Sequence, residues 1–515
     1  MALDPADNAP GRDPNPLFAD HSIDANFGRT VARGGMVTAV AQAVSLGLNL
    51  LSFPLLSRLL SPEDIGLVAI TTVVTGIALA FAESGLSTAA VQSPTLSRYQ
   101  ASNLFWFNVL MSVAAMAVCL AMAPGVGWFY EDPRLVSLVV VTSLSIPIFG
   151  LGIQHLALLR RTMQLDRIAY ATIAAAVVSN VLAVLTAWQL ENYWALVIKI
   201  IAQAVVMTAM AWALCRWMPS WPRRGVGTRY LATFGMKVFG SGMLFTLSQS
   251  ADTALLGRIA SAGVVGLYDR AYQLLVAPIR QINTPLAGVV LPALSRCRED
   301  KALYRSLFMS VTTLVIAVVA PMAGVVVGAP DWCVALAMGK GWEAAVPVFQ
   351  IIGLGLVLTP LFNSTSWLFM SQARAGEMMK WQGIDAAFRI VLIVCGAFYG
   401  LTGIVTATVV RVYTMPHGFY WALGKNGPVG LNDYVKLEVT ALTAALGALL
   451  AVLGFRGLIA EDTSPWIGAP VAGLAAIVAS TMVLCLFPET RRRLTQAIRL
   501  LRRRHDPIAA ASPAV

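Results

Sequence analysis

Charge is scarce in this chain. Only 12% of its 515 residues are Asp, Glu, Lys or Arg, against roughly 25% in ordinary soluble domains. So little charge excludes a conventional water-soluble fold and a disordered polyelectrolyte alike. Cysteine is sparse and scattered. Cys119, Cys215, Cys297, Cys333, Cys395 and Cys485 form no CxxC and have no His at ligand spacing, which excludes the common zinc and dithiol motifs and leaves them as small apolar packing residues. Gly339-Lys340-Gly341 lacks both an upstream glycine at phosphate-loop spacing and a following Ser or Thr, so no nucleotide site is expected. The Asn363-Ser364-Thr365 sequon falls inside a predicted helix and is set aside. Loops reach only about 20 residues, leaving no room for a soluble catalytic domain. No catalytic residue, metal or cofactor is expected. The first 30 residues are polar and lack the basic-then-apolar order of a cleavable leader, so they read as a flexible cytoplasmic tail.

Hydrophobicity is what the chain has in abundance: 57% of residues are hydrophobic and the mean hydropathy is +0.71. Apolar windows of about 20 residues, the length that crosses a ~30 Å hydrocarbon core as a helix, recur along nearly the whole chain. The predicted spans are 35–57, 65–91, 103–124, 135–158, 167–189 and 193–215, then 233–256, 264–292, 306–328, 345–371, 381–400 and 403–423, with a final pair at 432–454 and 466–487. The expected fold is an all-α polytopic membrane protein of about 14 transmembrane helices, with two pseudo-symmetric six-helix lobes plus two C-terminal helices. The parts would be a tail at 1–30, a lobe at 31–216, a basic cytoplasmic linker at 217–232, a second lobe at 233–424, two extra helices at 425–488 and a basic cytoplasmic tail at 489–515.

Placing the N-terminus inside leaves most of the 37 basic residues in inside loops and tails, with Arg58, Arg134, Arg258, Lys340 and Arg456 opposite. That is the asymmetry expected of cytoplasmic loops. The net charge of +11 is therefore chiefly a topology signal, and no nucleic-acid module accompanies it. Residues 489–504, ETRRRLTQAIRLLRRR, alternate Arg with Leu and Ile at helical spacing. They read as a surface helix on anionic membrane lipids, with a solvated tail as the alternative.

A shift of 200 residues superposes LLSRLLSPEDIGLVAI on LLGRIASAGVVGLYDR. Leu55, Leu56, Arg58, Ser61, Gly66 and Leu67 recur as Leu255, Leu256, Arg258, Ser261, Gly266 and Leu267. Further on, Pro147, Phe149 and Arg161 match Pro360, Phe362 and Arg374 at a shift of 213. Six helices separate the copies, an even number, so both run the same way through the membrane as a parallel repeat. Such lobes commonly frame alternating access, with substrate between them.

The residues LLSPEDIGLVAI after the first hydrophobic helix, then DTALLGR, VGLYDRAYQLL and VVLPALSR, resemble the Wzx-type polysaccharide exporters, particularly the colanic-acid-exporter branch. That family shares a superfamily with the multidrug and toxin extrusion transporters and the lipid II flippase. The resemblance implies flipping of an undecaprenyl-diphosphate-linked oligosaccharide across a bacterial inner membrane, for exopolysaccharide or lipopolysaccharide biosynthesis. It also implies polysaccharide polymerase and chain-length proteins as partners.

The charges at membrane depth are the candidate site, because ionisable groups there are costly and usually mark a pathway or a pairing. The cations are Lys199, Lys237, Arg270, Arg280, Arg389 and Arg411; the acids are Glu83, Asp252, Asp269, Asp385 and Glu438. On one continuous helix over 264–292, Arg270, Gln273, Arg280, Gln281 and Thr284 share a sector of about 100°, with Asn283 beside it. Arg270, Arg280, Lys199, Lys237 and Arg389 are therefore candidates for holding a phosphate or acidic sugar, and Gln273, Gln281, Asn283 and Thr284 for binding hydroxyls. Glu83, which the repeat sets opposite Asn283, is a candidate for coupling or gating with Asp252 and Asp269. The competing reading is pairing within the protein: Asp385 with Arg389 at i, i+4, and Asp269 or Asp252 with Arg270. Arg411 and Lys237 could snorkel, and His155 and His417 read as structural. A cation-coupled drug extruder of the same architecture is the alternative function, although it needs an acidic lumen; a membrane-embedded glycosyltransferase or polymerase would need a larger external domain.

Overall fold

The computed structural model describes residues 27–83, 87, 90, 91, 93, 96–226, 246, 250–459 and 463–502. Among them the chain is helical, with no strand, as a bilayer demands of any span that must satisfy its own backbone groups. Nine helical stretches among the described residues are long and apolar enough to cross a membrane, one of them, Arg134–Arg161, made of two consecutive helices. A bent pair, Glu343–Leu356 with Thr359–Ser371 at 42°, could make a tenth. The helix expected over 233–256, with Lys237, lies largely outside the described residues. The chain divides into two compact units, Met1–Gly266 and Leu267–Val515.

In the first unit the helices are α1 (Phe27–Leu59), α2 (Pro62–Glu83), α3 (Arg98–Phe129), α4 (Arg134–Ser143), α5 (Ser145–Arg161), α6 (Leu165–Leu190) and α7 (Trp194–Cys215). α6 packs on α1 and α7, α5 on α7 and α3, and α3 on α2. The α6 contact face is built from Ala169, Ala176, Ala183 and Ala187, all buried. Small side chains allow the close helix approach on which packing in an apolar medium depends. After Cys215 the basic linker is laid against α3: Trp217 is buried, Trp221 stacks on Trp106 at 5.4 Å, and the Arg223 amide donates to Asn103 Oδ1 at 2.9 Å.

The Ser61-Pro62-Glu63-Asp64 turn between α1 and α2 ties three elements together. Asp64 accepts from the Ser61 amide at 3.1 Å and from the Tyr193 amide, just before α7, at 3.1 Å. Glu63 pairs with Arg134 at the start of α4 at 2.6 Å. Removing one capping carboxylate that serves two amides costs about 1–2 kcal/mol. Asp64→Ala is therefore expected to lower the thermal midpoint of the purified protein, and Asp64→Asn to recover most of it. An unchanged midpoint in Asp64→Ala would show that the turn holds without the carboxylate.

The repeat read from sequence recurs as backbone geometry. The Leu60 amide donates to Leu56 O at 3.0 Å and the Ala260 amide to Leu256 O at 2.9 Å; Ile65 donates to Ser61 O at 3.3 Å and Val265 to Ser261 O at 3.2 Å. α8 (Ala262–Leu275) thus opens as α2 does. Within the first unit the two turns meet reciprocally. A Cβ on Gly66 would lie 1.6 Å from the carbonyl oxygen of Ala262, and one on Gly266 would lie 1.9 Å from that of Pro62. Ala262 is to Pro62 what Gly266 is to Gly66, so a local two-fold relates the contact, and glycine is the only residue that fits on either side of it.

The second unit continues with α9 (Ala277–Arg296), α10 (Lys301–Gly328), α11 (Pro330–Ala337), α12 (Val346–Leu356), α13 (Thr359–Ser371), α14 (Ala375–Ala397), α15 (Gly400–Asn426), α16 (Leu431–Leu458), α17 (Pro465–Leu486) and α18 (Pro488–Arg502). α10 is the central post, packing on α12, α16, α17 and α18. Gly324 and Gly328 let it approach Ala448 and Val452 of α16 closely. The second set of repeat marks also has a structural counterpart. α4 gives way to α5 at Leu144, shortly before Pro147, and α12 gives way to α13 just before Pro360. Arg161, at the end of α5, donates to the carbonyl of Ala90 at 3.1 Å. Arg374, just after α13, donates to the carbonyls of Ala422 at 2.9 Å and Leu423 at 3.0 Å.

Candidate functional site

The helix expected over 264–292 is two helices, α8 and α9, separated at Val276 in front of Pro278. Pro278 cannot donate the hydrogen bond that would continue α8. Arg270 and Gln273 therefore stand on α8, and positions 280, 281, 283 and 284 on α9, on either side of that break. Arg270 is 5% exposed. Its neighbour Asp269 accepts from Gln273 Nε2 at 2.7 Å, one turn along. The side chains of Arg280, Gln281, Asn283 and Thr284, like that of Glu83, lie outside the described residues. Asp252 is buried.

In the second unit Asp385 has a partner beyond its i, i+4 neighbour Arg389. Asp385 on α14 holds Arg411 on α15 in a two-pronged ion pair, Nε to Oδ1 at 2.7 Å and Nη2 to Oδ2 at 2.7 Å. Both side chains are nearly buried, and the guanidinium lies 4.7 Å from the Phe362 ring. Arg411 thus does not snorkel. The planar fork of Arg meets both carboxylate oxygens at once. Arg389 is buried one turn from Asp385.

Lys199 belongs to a polar network in the first unit that sequence reasoning missed. It donates to Asn49 Oδ1 at 3.4 Å, Asn180 donates to the same oxygen at 3.3 Å, and Ser52 donates to Asn180 Oδ1 at 2.6 Å. Ser179 donates to Gln203 at 2.7 Å alongside. A signal was there to be read: Ser45, Asn49 and Ser52 fall four and three residues apart on α1, which is one helix face.

Ionic contacts gather where α3 ends and α4 begins. Arg258 pairs with Glu131 at 3.1 Å, and Arg134 bridges Glu63 and Asp132 at 2.6 and 2.7 Å. The Arg134 guanidinium holds the Asp132 carboxyl below the usual carboxylate range. Tyr130 donates to the Ala254 carbonyl at 3.2 Å. His155 is buried, its Nε2 3.1 Å from the Trp217 carbonyl oxygen, and His417 lies 3.3 Å from Glu438, so both histidines sit in local structural contacts. No group of three or more His, Cys, Asp or Glu side chains able to hold a metal occurs among the described residues.

Comparison with known proteins adds what geometry alone does not. The family described as "Polysaccharide biosynthesis protein" matches residues 55–347, more than half of the chain. The succinoglycan biosynthesis transport protein ExoT of Rhizobium meliloti is 23% identical over 499 residues, covering 94% of this chain and 98% of that protein. The lipopolysaccharide biosynthesis protein WzxC of Escherichia coli is 23% identical over 386 residues, 70% of this chain and 74% of its own length. Among solved structures, the lipid II flippase MurJ in an inward closed conformation covers 88% of this chain and 98% of its own, with a TM-score of 0.69 at 14% identity. A multidrug resistance MATE family transporter in an inward-facing conformation scores 0.55 at 14% identity, covering 76% of this chain and 99% of its own. At such identities the structural likeness shows a shared fold.

Proposed function

Because the chain belongs to the polysaccharide biosynthesis protein family, and so to a group of multi-pass membrane transporters, we propose that it flips an undecaprenyl-diphosphate-linked oligosaccharide repeat unit across the bacterial inner membrane. The route would be alternating access, the product would feed exopolysaccharide or lipopolysaccharide synthesis, and both termini would be cytoplasmic. The observation that carries this reading is the family match over residues 55–347, together with relatives whose names place them in polysaccharide biosynthesis and transport. Likeness to the MATE transporter concerns fold and does not favour drug extrusion.

The chemistry is consistent with an anionic lipid-linked cargo. A diphosphate needs fixed cations that can meet its oxygens in pairs, which is what guanidinium groups do. Arg270 and Arg280 are assigned that role, with Lys199, Lys237 and Arg389 as further cations and Gln273, Gln281, Asn283 and Thr284 as hydroxyl-binding groups. Glu83, Asp252 and Asp269 are assigned to coupling or gating. Polymerase and chain-length proteins would take the product onward.

Arg270→Ala and Arg280→Ala are each expected to abolish surface polysaccharide while protein level and membrane insertion stay normal. Lipid-linked saccharide should accumulate on the inner leaflet, where extraction and mass analysis would also identify the repeat unit. Full export by both single variants would remove these arginines from the site. Raised resistance to cationic drugs on overexpression, without any change in polysaccharide, would point instead to drug extrusion.

A further inference from the structure

α18 follows α17 with only Phe487 between them. Because α17 is apolar enough to cross a membrane, α18 begins at the level where that span leaves the hydrocarbon. Its sequence carries Arg at 491, 492, 493, 499 and 502. Thr490 and Ala497 are buried, 3% and 2% exposed, on the flank of α10. Gln496 Oε1 accepts from both Ser306 and Ser310 of α10, each at 3.1 Å. Arg493 is engaged along the helix by Glu489 at 2.9 Å. The flank of α18 that carries Thr490 and Ala497 thus packs on the protein itself, and Gln496 ties the helix to α10.

That docking fixes where the remaining arginines stand. At 100° per residue, Thr490, Leu494 and Ala497 form one sector; Arg491, Arg492 and Thr495, all exposed, lie opposite. The same register puts positions 499 and 502 in that opposite sector. Four arginine positions therefore share one face of a helix bolted to the central post at the membrane boundary.

We propose that this face is a docking surface for the phosphate headgroups of an anionic phospholipid leaflet. Charge complementarity and position argue for it: the exposed Arg491 and Arg492 stand at the exit of a membrane span, in the sector to which the helical register also assigns positions 499 and 502, where anionic headgroups are the nearest and most concentrated phosphates, and such attraction acts within about a Debye length. Since Gln496 ties the helix to Ser306 and Ser310, leaflet charge would bear on α10 directly. The inference concerns the lipid surface and stands independently of the cargo.

The test is amide hydrogen exchange over residues 491–497 in the full chain held in nanodiscs. Replacing phosphatidylcholine discs by discs containing phosphatidylglycerol should slow exchange tenfold or more. The slowing should vanish near 1 M salt, where the Debye length falls to ~3 Å. It should also vanish in the quadruple variant R491Q/R492Q/R499Q/R502Q, whose exchange in neutral discs should match the unaltered protein and so show that the helix still docks. Equal exchange in both lipids would overturn the proposal, as would equal protection by millimolar inorganic phosphate in neutral discs. A quadruple variant that keeps the full phosphatidylglycerol effect would overturn it too.

Discussion

Asp385→Ala is expected to destabilise the second unit by about 3–5 kcal/mol, the usual cost of removing one partner from a buried ion pair. The substitution deletes both acceptors that hold the Arg411 fork, at 2.7 Å each. The guanidinium then remains among apolar side chains, with the Phe362 ring too weak a partner to replace a carboxylate. Arg389 is buried one turn from Asp385, so the neighbourhood loses a carboxylate while keeping two guanidinium groups. Replacing the whole pair, Asp385→Leu with Arg411→Met, should recover most of the loss, because a well-packed apolar pair avoids the desolvation that the charges suffer. Denaturation of the detergent-solubilised protein, followed by near-ultraviolet circular dichroism, distinguishes the two variants. If the single substitution were no worse than the double, the ion pair would not be the element that fastens α14 to α15.

Alanine at Gly66 or Gly266 should have an effect of comparable size through a different mechanism. Ordinary overpacking costs about 1–3 kcal/mol because side chains can shift. Here the obstacle is a backbone carbonyl at 1.6 or 1.9 Å from the new carbon, and a carbonyl yields only if its helix moves. Either substitution must push apart the starts of α2 and α8. The two effects should be strongly non-additive, since contacting residues couple: once Gly66→Ala has parted the turns, Gly266→Ala meets less resistance. A double-mutant cycle on thermal midpoints measures this coupling. Simple additivity would mean that the two glycines do not share one crossing.

Much of this architecture is legible in the sequence, and for a physical reason. In a bilayer, apolar length selects helices and excludes nearly everything else; hence α3, α6, α7, α10, α16 and α17 fall where runs of hydrophobic residues do. The Arg, Ser and Gly matches between 55–70 and 255–270 announced the repeat, and the backbone hydrogen bonds reproduce it. What could not be read was pairing across helices. Arg389 stands one turn from Asp385 in sequence and is easily named, whereas Arg411 is 26 residues away and meets the carboxylate only after α14 and α15 have packed. Of the network joining Asn49, Asn180 and Lys199, only the α1 face is legible in sequence, because its members come from α1, α6 and α7. The break at Val276 belongs to a different class. Pro278 signals it in the sequence, and α8 gives way to α9 just before that proline.

The reciprocal glycine contact also bears on ancestry. If the two halves of the repeat descend from one duplicated gene, their half-length forerunner met a second copy of itself across this same crossing, the self-complementary geometry of a two-fold homodimer. In that dimer a single codon change at the glycine would have struck both sides at once. In a single fused chain each side has its own codon. The two turns now differ, Pro62-Glu63-Asp64 in one and Ala262-Gly263-Val264 in the other, while each has a glycine at the crossing.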